Sequence, residues 1–162
     1  MLFLMFYKYV LLLPINKIQT MLKAVYGLSI SEGTIINELD LFAKALGNDF
    51  NKILENMRKE SYINGDETGH RIHGENHWLW VFLSKTMSLF LIRKGRGSDV
   101  PKEVLGTDFK GILSSDFWNA YNWIENQQKC WAHILRNAKA LEDDYVLFKI
   151  LKKLYKKAEK IS

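Results

Sequence analysis

The spacing of the apolar residues changes once along this chain, near Tyr62, and this change limits the folds that are open to it. From Tyr7 to about Met57 apolar residues recur every three or four positions, which is typical of helices. After Tyr62 the chain has short runs rich in β-branched and aromatic residues, which favour strands. The sequence therefore predicts a helical segment followed by an α/β core.

Two helices are predicted in the first part. One covers residues 15–26 and ends before Gly27, and the next begins near Ser29, which with Glu32 forms a capping-box pattern. Two helices joined by a short glycine-led turn fit a helix-turn-helix that reads a DNA groove. They also fit a plain helical hairpin, which is the commoner case in helical bundles, and the sequence leaves both open.

The first thirteen residues are nearly all apolar and could be mistaken for a signal peptide or a membrane anchor. A membrane-spanning helix needs about 20 residues, and here Lys8 interrupts the middle of the run. We therefore expect a core helix that begins before the first residue, in a longer parent chain.

The part after Tyr62 is predicted to follow the order βββαβαβα. Its elements, in chain order, are strands at 62–67, 77–83 and 89–94, a helix at 98–105, a strand at 111–116, a helix at 117–124, a strand at 128–133 and a helix at 135–141. An amphipathic helix follows at 146–161. We therefore expect a helical segment at 1–60, an α/β core at 61–141 and a basic amphipathic helix at 142–162.

The net charge and the cysteine content indicate which kind of partner and which cellular compartment to expect. Lysine and arginine number 23 against 18 acidic residues, so the net charge is +5, which favours a polyanionic partner. The one cysteine, Cys130, excludes an intramolecular disulfide and fits a reducing compartment. We expect a cytoplasmic protein with no membrane contact.

Two acidic residues, Asp66 and Asp116, each close a predicted strand. Groups at the carboxyl ends of neighbouring parallel strands converge on one crevice, which is where ligands bind in open α/β sheets. Two carboxylates held close together there would repel each other unless a divalent cation such as Mg²⁺ or Mn²⁺ lay between them. Helix capping is an equally common role for such acids, and the pattern alone leaves both roles open.

Several short motifs, taken in order, resemble those of a known family. They are Gly65-Asp66-Glu67-Thr68-Gly69, GENHWLWV at 74–81, Arg96-Gly97, LGTDFKG at 105–111, Ser115-Asp116 with Tyr121, and Cys130-Trp131-Ala132-His133 with Arg136. This order resembles the DDE transposases and is most similar to the insertion sequence 66 family. The resemblance extends from about Tyr7 to Ala140 and covers most of the chain.

The resemblance implies a ribonuclease-H-like core that cuts and joins DNA with two Mg²⁺ or Mn²⁺ ions. It implies that Asp66 matches the first catalytic acid and metal ligand, and Asp116 the second. The DNA partners would be the element ends and the target. Residues 8–14 and 30–36 would belong to the segment that precedes the core in such transposases.

The sequence departs from the family pattern at its end. The family's third acid, a glutamate, lies well beyond the Cys-x-x-His motif, and the acids available here do not match its context: Glu142, Asp143, Asp144 and Glu159. The position of the third acid is therefore unknown, and we expect a truncated transposase lacking it. A catalytically inactive DNA-binding remnant is the alternative, so enzymatic activity and homo-oligomerisation are both left open.

Basic residues supply the candidate DNA contacts, which are Arg93, Lys94, Arg96, Arg136, Lys152 and Lys156. For the first three, a phosphate contact and a polar strand exit are equally expected. The lysine stripe at 149–160 is more often a solvated helix face than a phosphate-contacting one.

Other chemically suggestive groups are expected to be structural. His70, His73 and His77 do not have spacings that converge on a strand pair, so we expect no metal there. Cys130 and His133 supply only two ligands and are expected to have structural roles. Most of the aromatic residues are expected in the core.

Overall fold

The computed structural model describes residues 2–141 and 145–160. The chain divides into two compact units, Met1–Lys52 and Ile53–Ser162. The first is helical, and the second contains a five-stranded mixed sheet with helices. The division into helical and α/β parts follows the change in apolar spacing near Tyr62.

The first unit is built from short helices around a small apolar core. It contains α1 (Leu2–Met5), a π-helical turn (Phe6–Val10), α2 (Ile15–Tyr26), α3 (Glu32–Ala45) and the start of α4 (Gly47–Met57). The buried residues of its core are Leu4, Tyr7, Ile18, Leu22 and Ile35. The predicted helix at 15–26 is confirmed to the residue, and Gly27 ends it with a φ of 68°, a conformation that glycine adopts without strain.

Two expectations for the first unit are wrong. The cap of α3 is Ser31 rather than Ser29, since the Ser31 hydroxyl accepts a hydrogen bond of 3.0 Å from the Thr34 backbone nitrogen. The apolar start is also not a core helix, because most of its side chains are exposed. Its one α turn is followed at once by a π turn, and of its described residues Leu4 and Tyr7 are buried in the core while Leu13 packs against it.

The second unit has a sheet in the order β3-β2-β1-β4-β5. Its strands are β1 (Tyr62–Ile72), β2 (Glu75–Leu83), β3 (Ser88–Arg93), β4 (Ile112–Ser115) and β5 (Gln127–Lys129). The first three are antiparallel neighbours, while β4 is parallel to β1 and β5 is parallel to β4. The sheet is therefore mixed.

Strand β1 runs past its predicted end. Pairing with β2 continues to Ile72 opposite Glu75, and His73 and Gly74 form the two-residue turn with φ values of 49° and 83°. Positive φ at both positions is the mark of a tight hairpin turn. The predicted end of the strand is Glu67, but pairing with β2 extends β1 without a break to Ile72.

The segment after β4 also differs from its prediction. Instead of a helix at 117–124 there is one 3₁₀ turn, Asn119–Tyr121, and the side-chain nitrogen of Gln127 donates to the carbonyls of both Tyr121 and Ile124. The fifth strand ends at Lys129, so His133 lies in a helix rather than in a strand. The order βββαβαβα is therefore wrong at its second helix.

Three helices complete the second unit along with the last turn of α4. They are α5 (Asp99–Leu105), α6 (Trp131–Ala140) and α7 (Tyr145–Ala158). The predicted helix at 98–105 is confirmed, while the one at 135–141 begins earlier, at Trp131. The predicted end of the last helix, Ile161, lies outside the described residues.

The core of the second unit lies on one face of the sheet. Ile63 on β1, Trp80 and Phe82 on β2 and Leu113 on β4 are fully buried, together with Val104 of α5. Alternate residues of a strand point to opposite faces, so Asp66 and its neighbours at 64 and 68 lie on the other face. The expectation that aromatic residues fill the core is confirmed for Trp80, Phe82 and Tyr121, which are fully buried.

Within the described residues, no helix has the length and apolar character needed to cross a membrane.

Candidate active site

The register of the sheet sets Asp66 and Asp116 side by side. The last parallel pair between β1 and β4 is Asn64 with Ser114, so each aspartate lies two residues beyond it on its own chain segment. Adjacent strands are about 4.8 Å apart, which brings both residues to one edge of the sheet. Asp66 is in the middle of β1 rather than at its end, whereas Asp116 directly follows β4 as predicted.

Each aspartate is held by one backbone amide. An Asp66 carboxylate oxygen accepts a hydrogen bond of 3.0 Å from the Glu67 nitrogen, and an Asp116 oxygen accepts one of 2.8 Å from the Trp118 nitrogen. Within the described part of the chain, neither carboxylate forms an ion pair. The second oxygen of each is therefore available to a ligand.

Both aspartates line one cavity of about 230 Å³. Its walls also include Cys130 and His133, from the cap and the first turn of α6. The Nδ1 atom of His133 is buried, and it has no hydrogen-bond partner among the residues described. Sequence reasoning gave Cys130 and His133 structural roles only, although the Cys-x-x-His motif was the signal that could have placed them here.

Glu67 follows Asp66 but serves a different purpose. Its Cα partner on β2 is Trp80, so its side chain lies on the core face of the sheet, where it is fully buried. One carboxylate oxygen accepts hydrogen bonds of 2.9 and 2.7 Å from Arg96, and the other accepts one from the Tyr121 hydroxyl. Burial raises the pKa of Glu67, and the hydrogen bonds from Tyr121 and Arg96 oppose that rise.

Arg96 lies between two indole rings. The centre of its guanidinium is 4.5 Å from the centroid of Trp78 and 4.0 Å from that of Trp118. The Trp118 indole nitrogen donates a hydrogen bond of 2.9 Å to the Arg96 carbonyl. The half-buried guanidinium is thus held by protein groups on several sides, which favours the polar strand exit over the phosphate contact as the role of Arg96.

The other candidate DNA contacts are distributed over the surface of the second unit. Arg93 forms an ion pair with Glu103, and Lys94 forms one of 2.8 Å with Glu75. Arg136 is exposed on α6. The lysines at 152 and 156 belong to α7, where they line one shallow surface with four other lysines: Lys149, Lys153, Lys157 and Lys160.

Among the residues that the structure describes, no third acid lines the cavity of the two aspartates. Glu142, Asp143 and Asp144 lie outside the described residues, and Glu159 hydrogen-bonds to Tyr155, whose pKa it raises. Across residues 2–141 and 145–160, no three His, Cys, Asp or Glu side chains are grouped so that they could hold a metal ion.

The histidines of the first hairpin are closer than their spacing suggested. His70 and His77 are direct Cα partners on β1 and β2, so the expectation that they do not converge on a strand pair is wrong. The hairpin turn at His73 and Gly74 is what reverses the chain between them.

The chain is thus an α/β protein in which two aspartates, each just beyond the last pair of the parallel strands β1 and β4, line one cavity. A family model describing the transposase IS66 family matches residues 1–162, and the chain belongs to this family. The family assignment made from the ordered motifs is thereby confirmed. No curated protein sequence matches the chain significantly.

Proposed function

We propose that this transposase is of the DDE type and that Asp66 and Asp116 hold the divalent metal ions used to cut and join DNA strands. The observation that carries the proposal is the sheet register, which sets each aspartate two residues beyond the paired Asn64 and Ser114. Both then line one cavity, each with an oxygen turned to no protein donor among the residues described.

The sheet topology supports a ribonuclease-H-like core. Three antiparallel strands come first in the sequence, and β4 and β5 then add in parallel on the far side of β1. This puts β1 at the centre of the sheet, with Asp66 on the central strand and Asp116 on its neighbour. Fold alone does not fix function, so the proposal depends on the two acids.

The donor chemistry of the cavity fits Mg²⁺ or Mn²⁺. Hard cations of this kind prefer carboxylate oxygens, and Mg²⁺ is usually bound by one or two carboxylates together with substrate phosphate oxygens and water. Asp66 and Asp116 supply those two carboxylates. Two metal ions, when bound, stabilise both the attacking and the leaving oxygen of a phosphoryl transfer.

The residues of the chain have separate tasks in this mechanism. Asp66 and Asp116 would hold the ions through the carboxylate oxygens that accept no hydrogen bond from the described residues. Their backbone hydrogen bonds from Glu67 and Trp118 fix one oxygen of each carboxylate, so the geometry is set before DNA arrives. An attacking water or 3′-hydroxyl then displaces the leaving oxygen directly, and no covalent intermediate with the protein is required.

Glu67 is not the missing third acid of this site. Both of its oxygens are used by Arg96 and Tyr121, and its side chain lies on the face of the sheet opposite Asp66. The third acid is therefore proposed to come from outside the described residues or from another polypeptide.

The experiment that tests the proposal is nicking of supercoiled plasmid DNA in Mg²⁺ or Mn²⁺ by the wild type, Asp66→Asn and Asp116→Asn. Asp108→Asn is the matched control, because Asp108 lines a cavity at the amino ends of β1 and β4. We expect metal-dependent nicking that is lost in the first two variants and kept in the third. Nicking that persists in Asp66→Asn and Asp116→Asn would overturn the proposal.

A second candidate function is DNA binding without catalysis, and α7 supports it. Five lysines of α7, together with Lys160 just beyond its end, line one shallow cavity of about 430 Å³. Such a row of ammonium groups can contact the phosphate backbone, and affinity would then fall steeply with salt.

Charge reversal distinguishes this function from a solvated helix face. In the double variant Lys152→Glu/Lys156→Glu we expect weaker binding to duplex DNA and a shallower dependence of affinity on salt. Wild-type protein that binds DNA in this way but never nicks it would favour the second function over the first. Unchanged binding in the double variant would count against it.

A further inference from the structure

The ion pair between the buried Glu67 side chain and the partly exposed Arg96 is connected to both aspartates of the cavity. Glu67 is the chain neighbour of Asp66, and its backbone nitrogen donates to the Asp66 carboxylate. Arg96 is held against Trp118, whose backbone nitrogen donates to the Asp116 carboxylate. A continuous path therefore runs from Asp66 to Asp116 through the core side of the sheet.

We propose that Arg96 and Glu67 are positioning residues that fix the separation and orientation of Asp66 and Asp116. The proposal rests on the proposed function, since it assigns the pair a role in the same metal-binding site. It goes beyond that function because neither residue is placed on the metal or on DNA.

The geometry of the pair is that of a rigid link. Arg96 gives two hydrogen bonds, of 2.9 and 2.7 Å, to the same oxygen of Glu67, while Tyr121 occupies the other oxygen. Both oxygens of the fully buried Glu67 side chain are therefore occupied by protein donors. A charge-assisted bond made by a planar guanidinium has a defined direction, which a lysine in its place would not reproduce.

The two indole rings complete the link on the Asp116 side. Trp118 stacks on the guanidinium, and its indole nitrogen donates to the Arg96 carbonyl, so the indole ring contacts both the side chain and the main chain of Arg96. The Trp118 backbone nitrogen then sets the orientation of Asp116 at 2.8 Å. A shift of Arg96 is therefore transmitted to the carboxylate.

A purely structural ion pair would not need this arrangement, and the chain provides one for comparison. Arg93 at the end of β3 pairs with Glu103 of α5 through two hydrogen bonds, and neither residue hydrogen-bonds to Asp66, to Asp116 or to the backbone donors that hold them. Arg93→Lys is thus a matched control for Arg96→Lys.

The first test is Mn²⁺ titration calorimetry on the folded wild type, Arg96→Lys, Glu67→Gln and Arg93→Lys. Loss of groups that orient metal ligands usually lowers metal affinity about 10- to 100-fold, and we expect that loss in Arg96→Lys and Glu67→Gln. Arg93→Lys should stay within about twofold of the wild type, since its ion pair is remote from both carboxylates.

A stability control separates positioning from general loosening. Val104→Ala removes buried volume from α5 without touching the pair, so it lowers the melting temperature but should leave Mn²⁺ affinity unchanged. Wild-type affinity in both Arg96→Lys and Glu67→Gln, together with a lowered melting temperature, would show a structural role only and would overturn the inference.

The second test needs no metal, so it separates this inference from the proposed function. The Trp118 amide proton reports its hydrogen bond to Asp116 in the NMR spectrum of the metal-free protein. We expect that resonance to shift in Arg96→Lys and not in Arg93→Lys. A wild type that binds no Mn²⁺ would refute the proposed function, whereas an unmoved Trp118 amide would refute the positioning role.

Discussion

Two arginine–glutamate pairs of the second unit should differ sharply in their contribution to stability. In Arg96→Ala the Glu67 carboxylate, whose side chain has 0% exposure, loses two of its three hydrogen bonds. Removing one partner of a buried ion pair costs about 3–5 kcal/mol, because the remaining charge is left uncompensated. The stacking of the guanidinium between two indole rings is lost as well.

The matched substitution Arg93→Ala should cost far less. Arg93 and Glu103 have side-chain exposures of 37% and 44%, and exposed pairs contribute about 0–1 kcal/mol. Protonation of Glu67 can relieve part of the cost in Arg96→Ala, so we place the expected difference between the two variants at about 2–4 kcal/mol.

Urea unfolding at neutral pH, followed by circular dichroism at constant protein concentration, measures both values. The difference should appear as a lower midpoint for Arg96→Ala with a similar slope. If the two variants lose stability equally, to within about 0.5 kcal/mol, the reasoning from burial is refuted.

Three further predictions follow from single positions. Burial and the hydrogen bond to Glu67 raise the pKa of Tyr121, so the folded state holds the phenol proton more tightly than the unfolded state, and the resulting stability is lost as pH rises above about 10. In urea unfolding, Tyr121→Phe should lose less stability than the wild type as pH rises through this range. An equal loss in both proteins would contradict the raised pKa of Tyr121. Ile63→Ala should lower the free energy of unfolding by about 2–5 kcal/mol, because the side chain is fully buried in the sheet core. A melting temperature lowered by only a few degrees, which corresponds to less than about 1 kcal/mol, would contradict this prediction. Gly111→Ala should destabilise by about 1–3 kcal/mol, since a Cβ would clash with the Glu60 carbonyl; Gly69→Ala, where a Cβ meets no atom within 4 Å, is the control and should be near neutral in the same melts.

Local patterns predicted those elements whose packing is regular. The apolar spacing of α2 and the aromatic alternation of β2 follow directly from burial of one face, and both were placed within a few residues of their observed bounds. The helix predicted at 117–124 is replaced by a single 3₁₀ turn, and the Tyr121 and Ile124 carbonyls of that segment accept hydrogen bonds from the Gln127 side chain of the next strand. Such a bond between separate elements leaves no periodic signal.

The site was predictable in part for the same reason. Asp66 and Asp116 were predicted from expected strand ends and from the motifs around them; both line one cavity, although Asp66 lies in the middle of β1. The partnership of Glu67 with Arg96 and Tyr121 depends on residues 29 and 54 positions away in the chain, and only the folded sheet brings them together. His133 was missed because it was placed on a strand, whereas the first turn of α6 directs it to the cavity.

The most direct test of the central claim is titration calorimetry of Mn²⁺ into the wild type, Asp66→Asn and Asp116→Asn, with Asp108→Asn as the control. We expect Mn²⁺ to bind to the wild type and to Asp108→Asn. Binding should be lost in Asp66→Asn and in Asp116→Asn, because the metal needs both carboxylates of the cavity. Binding that persists unchanged in Asp66→Asn and Asp116→Asn would contradict the account.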